Sequence, residues 1–209
     1  RKMSKQLGNS PDALDLITRY GADGVRMGML LSAPAGNDLL FDETQVEQGR
    51  NFSNKIWNAC RLIKGWTVAE DNGFEGKELE ALRACGYWFD GKVKEAIEDI
   101  DRKFVDYRLS EALMSIYKLI WDHFCSSYLE MVKPVFGQPI ARSIYENTIQ
   151  RFDVLMKMLH PFMPFITEEL YHELHNGKPE DPLIISAMPK AEEPVLPFSD
   201  RVTELISQI

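Results

Sequence analysis

The sequence predicts a mainly all-α protein, an antiparallel helix bundle preceded by a small α/β connecting element. Three observations carry this: apolar residues recur at helical period over most of the 209 residues, the long apolar stretches stop at proline or glycine signals, and 44% hydrophobic residues supply a sizeable core. Ser10-Pro11-Asp12 combines a capping residue with proline at a first helical position, which starts a short helix ending at Gly21. A second helix runs from Ala22 to Leu31, a turn follows at 34–38, and Leu39 to Phe41 is expected as a short strand. Asp42 caps a long third helix to Trp66.

Three further long segments follow a loop at 70–76: Leu79 to Val105, broken or bent near Gly86 and Gly91; Leu109 to Val132, stopped by Lys133-Pro134; and Ile140 to Leu159, stopped by His160-Pro161. In the second, Leu109, Leu113, Ile116, Tyr117, Ile120, Phe124, Tyr128 and Met131 form one face. Faces of this kind can only be buried against one another, so a bundle is the cheapest arrangement. Pro164 to His175 closes it, with Glu168-Glu169 as an acidic pair suited to the helix dipole. Beyond Gly177, five prolines imply an extended segment with a strand or strap at Leu183 to Met188, and Asp200 to Ile209 reads as the start of a helix. The expected division is 1–41, 42–176 and 177–209.

Composition narrows the function classes. Cys60, Cys85 and Cys125 have neither metal-ligand nor CxxC spacing, so buried free thiols in a reducing compartment are expected, with no metal. No apolar run reaches the roughly 20 residues of a bilayer span, so no membrane partner and a cytoplasmic location are expected. His123, His160, His172 and His175 lack a metal-site pattern. The net charge of −8 taken alone argues against nucleic acid. Its distribution says otherwise: residues 1–11 hold three basic and no acidic side chains, and residues 50–69 hold four basic and none acidic.

At 100° per residue, the helix from Asp42 to Trp66 places Phe52, Ile56, Ala59, Cys60 and Ile63 on its core side. Opposite lie Arg50, Asn54, Asn58 and Arg61, flanked by Trp57 and Lys64 on one side and Asn51 and Lys55 on the other. Cations that hold phosphates, amides that bond to base edges and aromatics that stack on splayed bases are the side chains of single-stranded RNA readers. A solvated face that merely lacks acids, with Trp57 half buried, accounts for the same residues. Trp121, Phe124 and Tyr128 read as a core stripe.

Lys2-Met3-Ser4-Lys5, followed by Leu7-Gly8-Asn9, resembles the signature loop of the class I aminoacyl-tRNA synthetases, a KMSKS pattern before a Gly-Asn pair. The continuation through the Pro-Ala-Gly-Asn-Asp turn is similar to the valyl-tRNA synthetases, as are "GRNFSNKIWNACR", "IWDHFCSSYLEMVKP" and "LHPFMPFITEELY". The isoleucyl and leucyl families, similar as far as "YGAD", remain the alternative; a non-catalytic helical protein-interaction module is the alternative of another class.

The resemblance implies that the chain is a C-terminal fragment of a cytoplasmic, monomeric ligase that attaches valine to tRNA(Val) by way of valyl-adenylate, using ATP with magnesium. It implies that Lys2, Met3, Ser4 and Lys5 belong to the ATP site, with Lys2 and Lys5 catalytic through their stabilisation of charge on the leaving pyrophosphate. Gln6 stands where the family has Ser. The bundle becomes an anticodon-binding domain of the class I synthetase type. Its tRNA-binding residues would be Arg50, Asn54, Lys55, Trp57, Asn58 and Arg61, and residues 12–41 the connecting element. The remainder of a nucleotide pocket is not in the sequence, so the isolated chain is expected to be inactive: valine-dependent pyrophosphate exchange by the purified chain should be undetectable.

Overall fold

A computed structural model describes residues 10–33, 36, 39–175 and 182–191. The motif residues Lys2, Met3, Ser4 and Lys5, most of the turn at 34–38 and the expected helix at 200–209 lie outside the described residues. Helix α1 (Ala13–Tyr20) is capped by Asp12, whose carboxylate accepts from the Leu14 and Asp15 amides at 2.8 and 3.1 Å. The cap is therefore Asp12 and not Ser10, and Pro11 precedes the helix. Gly21, at φ +77°, ends α1 and leads directly into α2 (Ala22–Leu31).

Residues 39–41 pair with no strand, so the regular structure of the connecting element is helical among its described residues. Asp42 caps α3 (Glu43–Lys64) through the Thr44 amide, as expected from the sequence. Helices α2 and α3 meet backbone to backbone. A Cβ built on Gly28 would lie 2.5 Å from Val46 Cγ2 and 2.6 Å from its Cα, and one on Gly49 would lie 2.7 Å from the Gly24 carbonyl.

Helix α4 (Gly76–Val105) is continuous where a break was expected. Gly86 serves a close approach. The Arg151 guanidinium lies where a Cβ would sit, grips Asp90 through two hydrogen bonds of 2.7 and 2.6 Å, and covers the Tyr128 ring. After a short turn come α5 (Leu109–Lys118), a π-helical stretch (Leu119–Tyr128) and α6 (Leu129–Val132) along one path. Ile116, Ile120, Phe124 and Tyr128 are all buried at steps of four residues. On an ideal α-helix four residues overshoot a full turn by 40°, so a stripe of this spacing drifts off the face. The wider π turns hold it in line, and Ser126 and Ser127 donate their hydroxyls to carbonyls five residues back.

Two-residue strands β1 (Val68–Ala69) and β2 (Ile140–Ala141) pair in parallel, Val68 opposite Ile140 and Ala69 opposite Ala141. Around this bridge Arg142 binds Glu70, and Asp71 accepts from the Ser143 amide at 2.9 Å. Helices α7 (Arg142–Leu159) and α8 (Pro164–Leu174) complete the bundle. Glu168 lies beyond the first turn of α8 and accepts from the Leu183 amide, so it tethers the segment at 182–191 and leaves the dipole to another group. Leu183–Ile185 is a single 3-10 turn, with Leu183 buried, where a strand or strap was expected.

The core is one cluster, with Phe52, Phe89, Phe124, Tyr128 and Phe152 among its largest members. Cys60 and Cys125 are buried free thiols, pushed up to about 11 by burial, and Cys85 is half-buried. Gly28→Ala should destabilise the fold by about 1–3 kcal/mol in chemical unfolding, since α2 and α3 must part to admit the methyl. Hydrogen bonding from Ser143, whose amide donates to it, holds the Asp71 carboxyl below the usual carboxylate range. Its stabilising share is therefore present above about pH 4 and is lost as pH falls through the lowered folded-state value. Asp71→Asn should accordingly cost stability at pH 7, and the difference from the parent should shrink on acidification toward pH 3.

Candidate nucleic-acid interface

Helix α3 is amphipathic in an unusual sense: one side is apolar and the other is cationic and amide-bearing. Phe52, Ile56, Ala59, Cys60 and Ile63 are buried, as the helical period requires. With that side fixed in the core, Arg50, Asn54, Asn58 and Arg61 are exposed together on the other. From Arg50 to Arg61 the helix rises about 16 Å. No carboxylate occurs in sequence between Arg50 and Trp66. Lys64, on the flank, is engaged by Glu173 of α8.

Two of the expected residues stand differently. Lys55 is half-buried, its Nζ 5.2 Å from the centroid of the Trp121 ring, a cation–π contact. Trp57 is half-buried and packs against the core, so its ring supports the face from the side. Trp121 itself departs from the expected core stripe. Phe124 and Tyr128 are buried, but Trp121 is only half-buried and stacks on Tyr117 at 5.4 Å. The π-helical stretch thus sets an aromatic shelf beside α3.

At its C-terminal end the α3 face runs into an open cleft of about 600 Å³ lined by Arg61, Leu62, Trp66, Lys133, Phe136 and Gln138 among others. Phe136 is fully exposed at the tip of a tight turn in which Gln138 N–H donates to the Val135 carbonyl and Gly137 takes φ +79°. The cleft wall carries two cations, two aromatic rings and no carboxylate. Lys133 is also paired with Glu130. Residues 133–138 escaped the sequence reading because they are a loop with no periodic pattern. An aromatic after a proline, followed by glycine, was the only local signal.

Among the described residues no three or more His, Cys, Asp and Glu side chains group so as to hold a metal ion, and no helix is long and apolar enough to cross a membrane. His172 bonds to Glu168, and His175 to Asp153.

Comparison with known proteins places the chain in a family. Residues 87–209 match the anticodon-binding domain of tRNA ligase, and residues 1–42 match the class I tRNA synthetases of the I, L, M and V group. The chain is 55% identical over 188 residues to a valine–tRNA ligase of Phocaeicola vulgatus, covering 90% of this chain and 21% of that protein. It is 52% identical over 212 residues to that of Porphyromonas gingivalis, covering 100% and 24%, and 38% identical over 198 residues to that of Bacillus thuringiensis, covering 92% and 22%. The chain thus spans about a fifth to a quarter of the length of these curated relatives. A solved structure, the ternary complex of Agrobacterium radiobacter K84 agnB2 LeuRS-tRNA-LeuAMS, superposes with a TM-score of 0.62 at 16% identity over 92% of this chain and 22% of that one, a likeness of fold. With well over half of its residues matched, the chain belongs to the family of the anticodon-binding domain of tRNA ligases.

Proposed function

We propose that the chain is the tRNA anticodon-binding part of a cytoplasmic, monomeric valine–tRNA ligase, an enzyme that joins valine to tRNA(Val) through valyl-adenylate. The observation that carries this reading is the acid-free α3 face, with Arg50, Asn54, Asn58 and Arg61 exposed in line and leading into the Phe136 cleft. Its relatives at 51–56% identity are valine–tRNA ligases, which favours this reading over the isoleucyl, leucyl and protein-scaffold alternatives.

Roles follow from the chemistry of each group. Arg50, Arg61 and Lys133 hold phosphates, Asn54 and Asn58 reach base edges, and Phe136 stacks on one base turned into the cleft. Lys55 acts as a cation already seated on Trp121, and Trp57 braces the helix from behind. Residues 1–41, 42–176 and 177–209 serve as the end of the catalytic part with its connecting element, the anticodon-binding bundle and a following segment. ATP with magnesium belongs to the whole enzyme. Lys2, Met3, Ser4 and Lys5 would belong to its ATP site, with Lys2 and Lys5 supplying positive charge to the pyrophosphate. They lie outside the described residues.

Titration of the chain with valine tRNA, and with the same transcript carrying a replaced anticodon, tests the reading. Affinity should fall on anticodon replacement; equal, purely salt-driven binding of both would overturn it. Arg61→Ala should weaken binding by about 1–3 kcal/mol and flatten the salt dependence. Phe136→Ala should cost roughly 1–3 kcal/mol while leaving the salt slope unchanged, because stacking releases no counterions.

A further inference from the structure

Away from the RNA face, two charged side chains of α2 grip the turn between α7 and α8. Asp23 is buried, and its carboxylate accepts from the backbone amides of Ile166 at 2.6 Å and Phe165 at 3.4 Å. It thereby caps the N-terminus of α8, a helix whose own sequence places no acid in its first turn. One turn on, Arg26 donates to the carbonyls of Phe162 at 3.0 Å and Pro161 at 3.1 Å. The same turn is fixed from within by His160, whose Nδ1 bonds to Thr167 Oγ1 at 2.8 Å.

At its other end, about 16 Å away for an 11-residue helix, α8 is tied by Glu173 to Lys64, three residues beyond Arg61 on α3. The third side is closed by the glycine contact of Gly24 and Gly28 with Val46 and Gly49. Helices α2, α3 and α8 therefore form a closed frame. One corner carries the RNA-reading surface, and another is continuous in sequence with the segment that holds Lys2 and Lys5.

We infer that Asp23 and Arg26 are positioning residues which hold α1 and α2 in register with the anticodon-reading face, so that a tRNA bound there is presented correctly to the catalytic part. This rests on the function proposed above. Neither residue touches the RNA surface, so their loss leaves tRNA binding intact and lowers the rate of transfer to tRNA. A small misplacement far from the chemistry is enough for that. Burial pushes the Asp23 carboxyl up against the pull of the two amide donors and Arg26. Asp23→Asn keeps the size of the side chain and one oxygen acceptor for the two amides.

The test uses the full-length ligase carrying Asp23→Asn and, separately, Arg26→Ala, the latter at an exposed position. Expected are unchanged valine-dependent pyrophosphate exchange, a tRNA Kd within about twofold of the parent, and a kcat for tRNA charging lowered by about tenfold or more. Charging kcat within about twofold of the parent in both variants would overturn the inference and leave the proposed function standing. So would a loss that falls equally on pyrophosphate exchange, which marks general damage. A parent enzyme that fails to charge valine tRNA would overturn the function itself, and this inference with it.

Discussion

The apolar side of α3 is the constraint on which the remaining structure depends. Phe52, Ile56 and Ile63 have no exposed surface at all, and each buried side chain of this size contributes about 1.5–3 kcal/mol. A helix held so firmly cannot rotate about its axis. The exposure of Arg50, Asn54, Asn58 and Arg61 is thus a consequence of core packing, and the chemistry proposed to face RNA is presented on a rigid element instead of a loop. Rigid presentation keeps the entropic cost of ordering these long side chains on binding to their outer torsions.

The same helix is held from three directions, each by a different kind of force. Close backbone contact through glycines joins it to α2, where no side chain separates the two helices. An ion pair joins it to α8, and the aromatic shelf of Tyr117 and Trp121 lies along its flank beneath Lys55. Arg151 performs a comparable service between α4 and α7. Its charge is satisfied by both oxygens of Asp90 and by the face of Tyr128, in space that Gly86 leaves open.

The helices were legible in the sequence because their apolar period is strong and their stops are proline and glycine. Asp42, Gly21 and the limits of α2 fall where local chemistry puts them. Much of what sequence missed was non-local. Gly86 looks like a helix breaker until Arg151, 65 residues on, is placed against it. The parallel bridge joins residues 72 apart, too short to leave a pattern in either segment. The cap of α8 comes from α2, so no inspection of residues 160–166 reveals it. At the site, the four exposed members of the α3 face followed from the wheel. The engagement of Lys55 with Trp121 and the loop bearing Phe136 did not, since both arise from elements that meet only in the folded chain. The spacing of four in Ile116, Ile120, Phe124 and Tyr128 was in plain view and carries the π-helix signal.

The two-residue bridge between β1 and β2 also bears on how the molecule acquires its cleft. Helical hairpins form from contacts near in sequence and therefore early, whereas closing a loop of about 70 residues requires an entropic penalty that local contacts do not offset. Trp66 and Thr67 stand just before β1, and Phe136, Gly137 and Gln138 just before β2, so that closure helps bring the cleft walls together. The cleft is consequently expected to be among the later parts of the bundle to assemble and the earlier to open. Hydrogen exchange in the native state would find its amides exchanging ahead of those of α3, with the helices beneath it still intact.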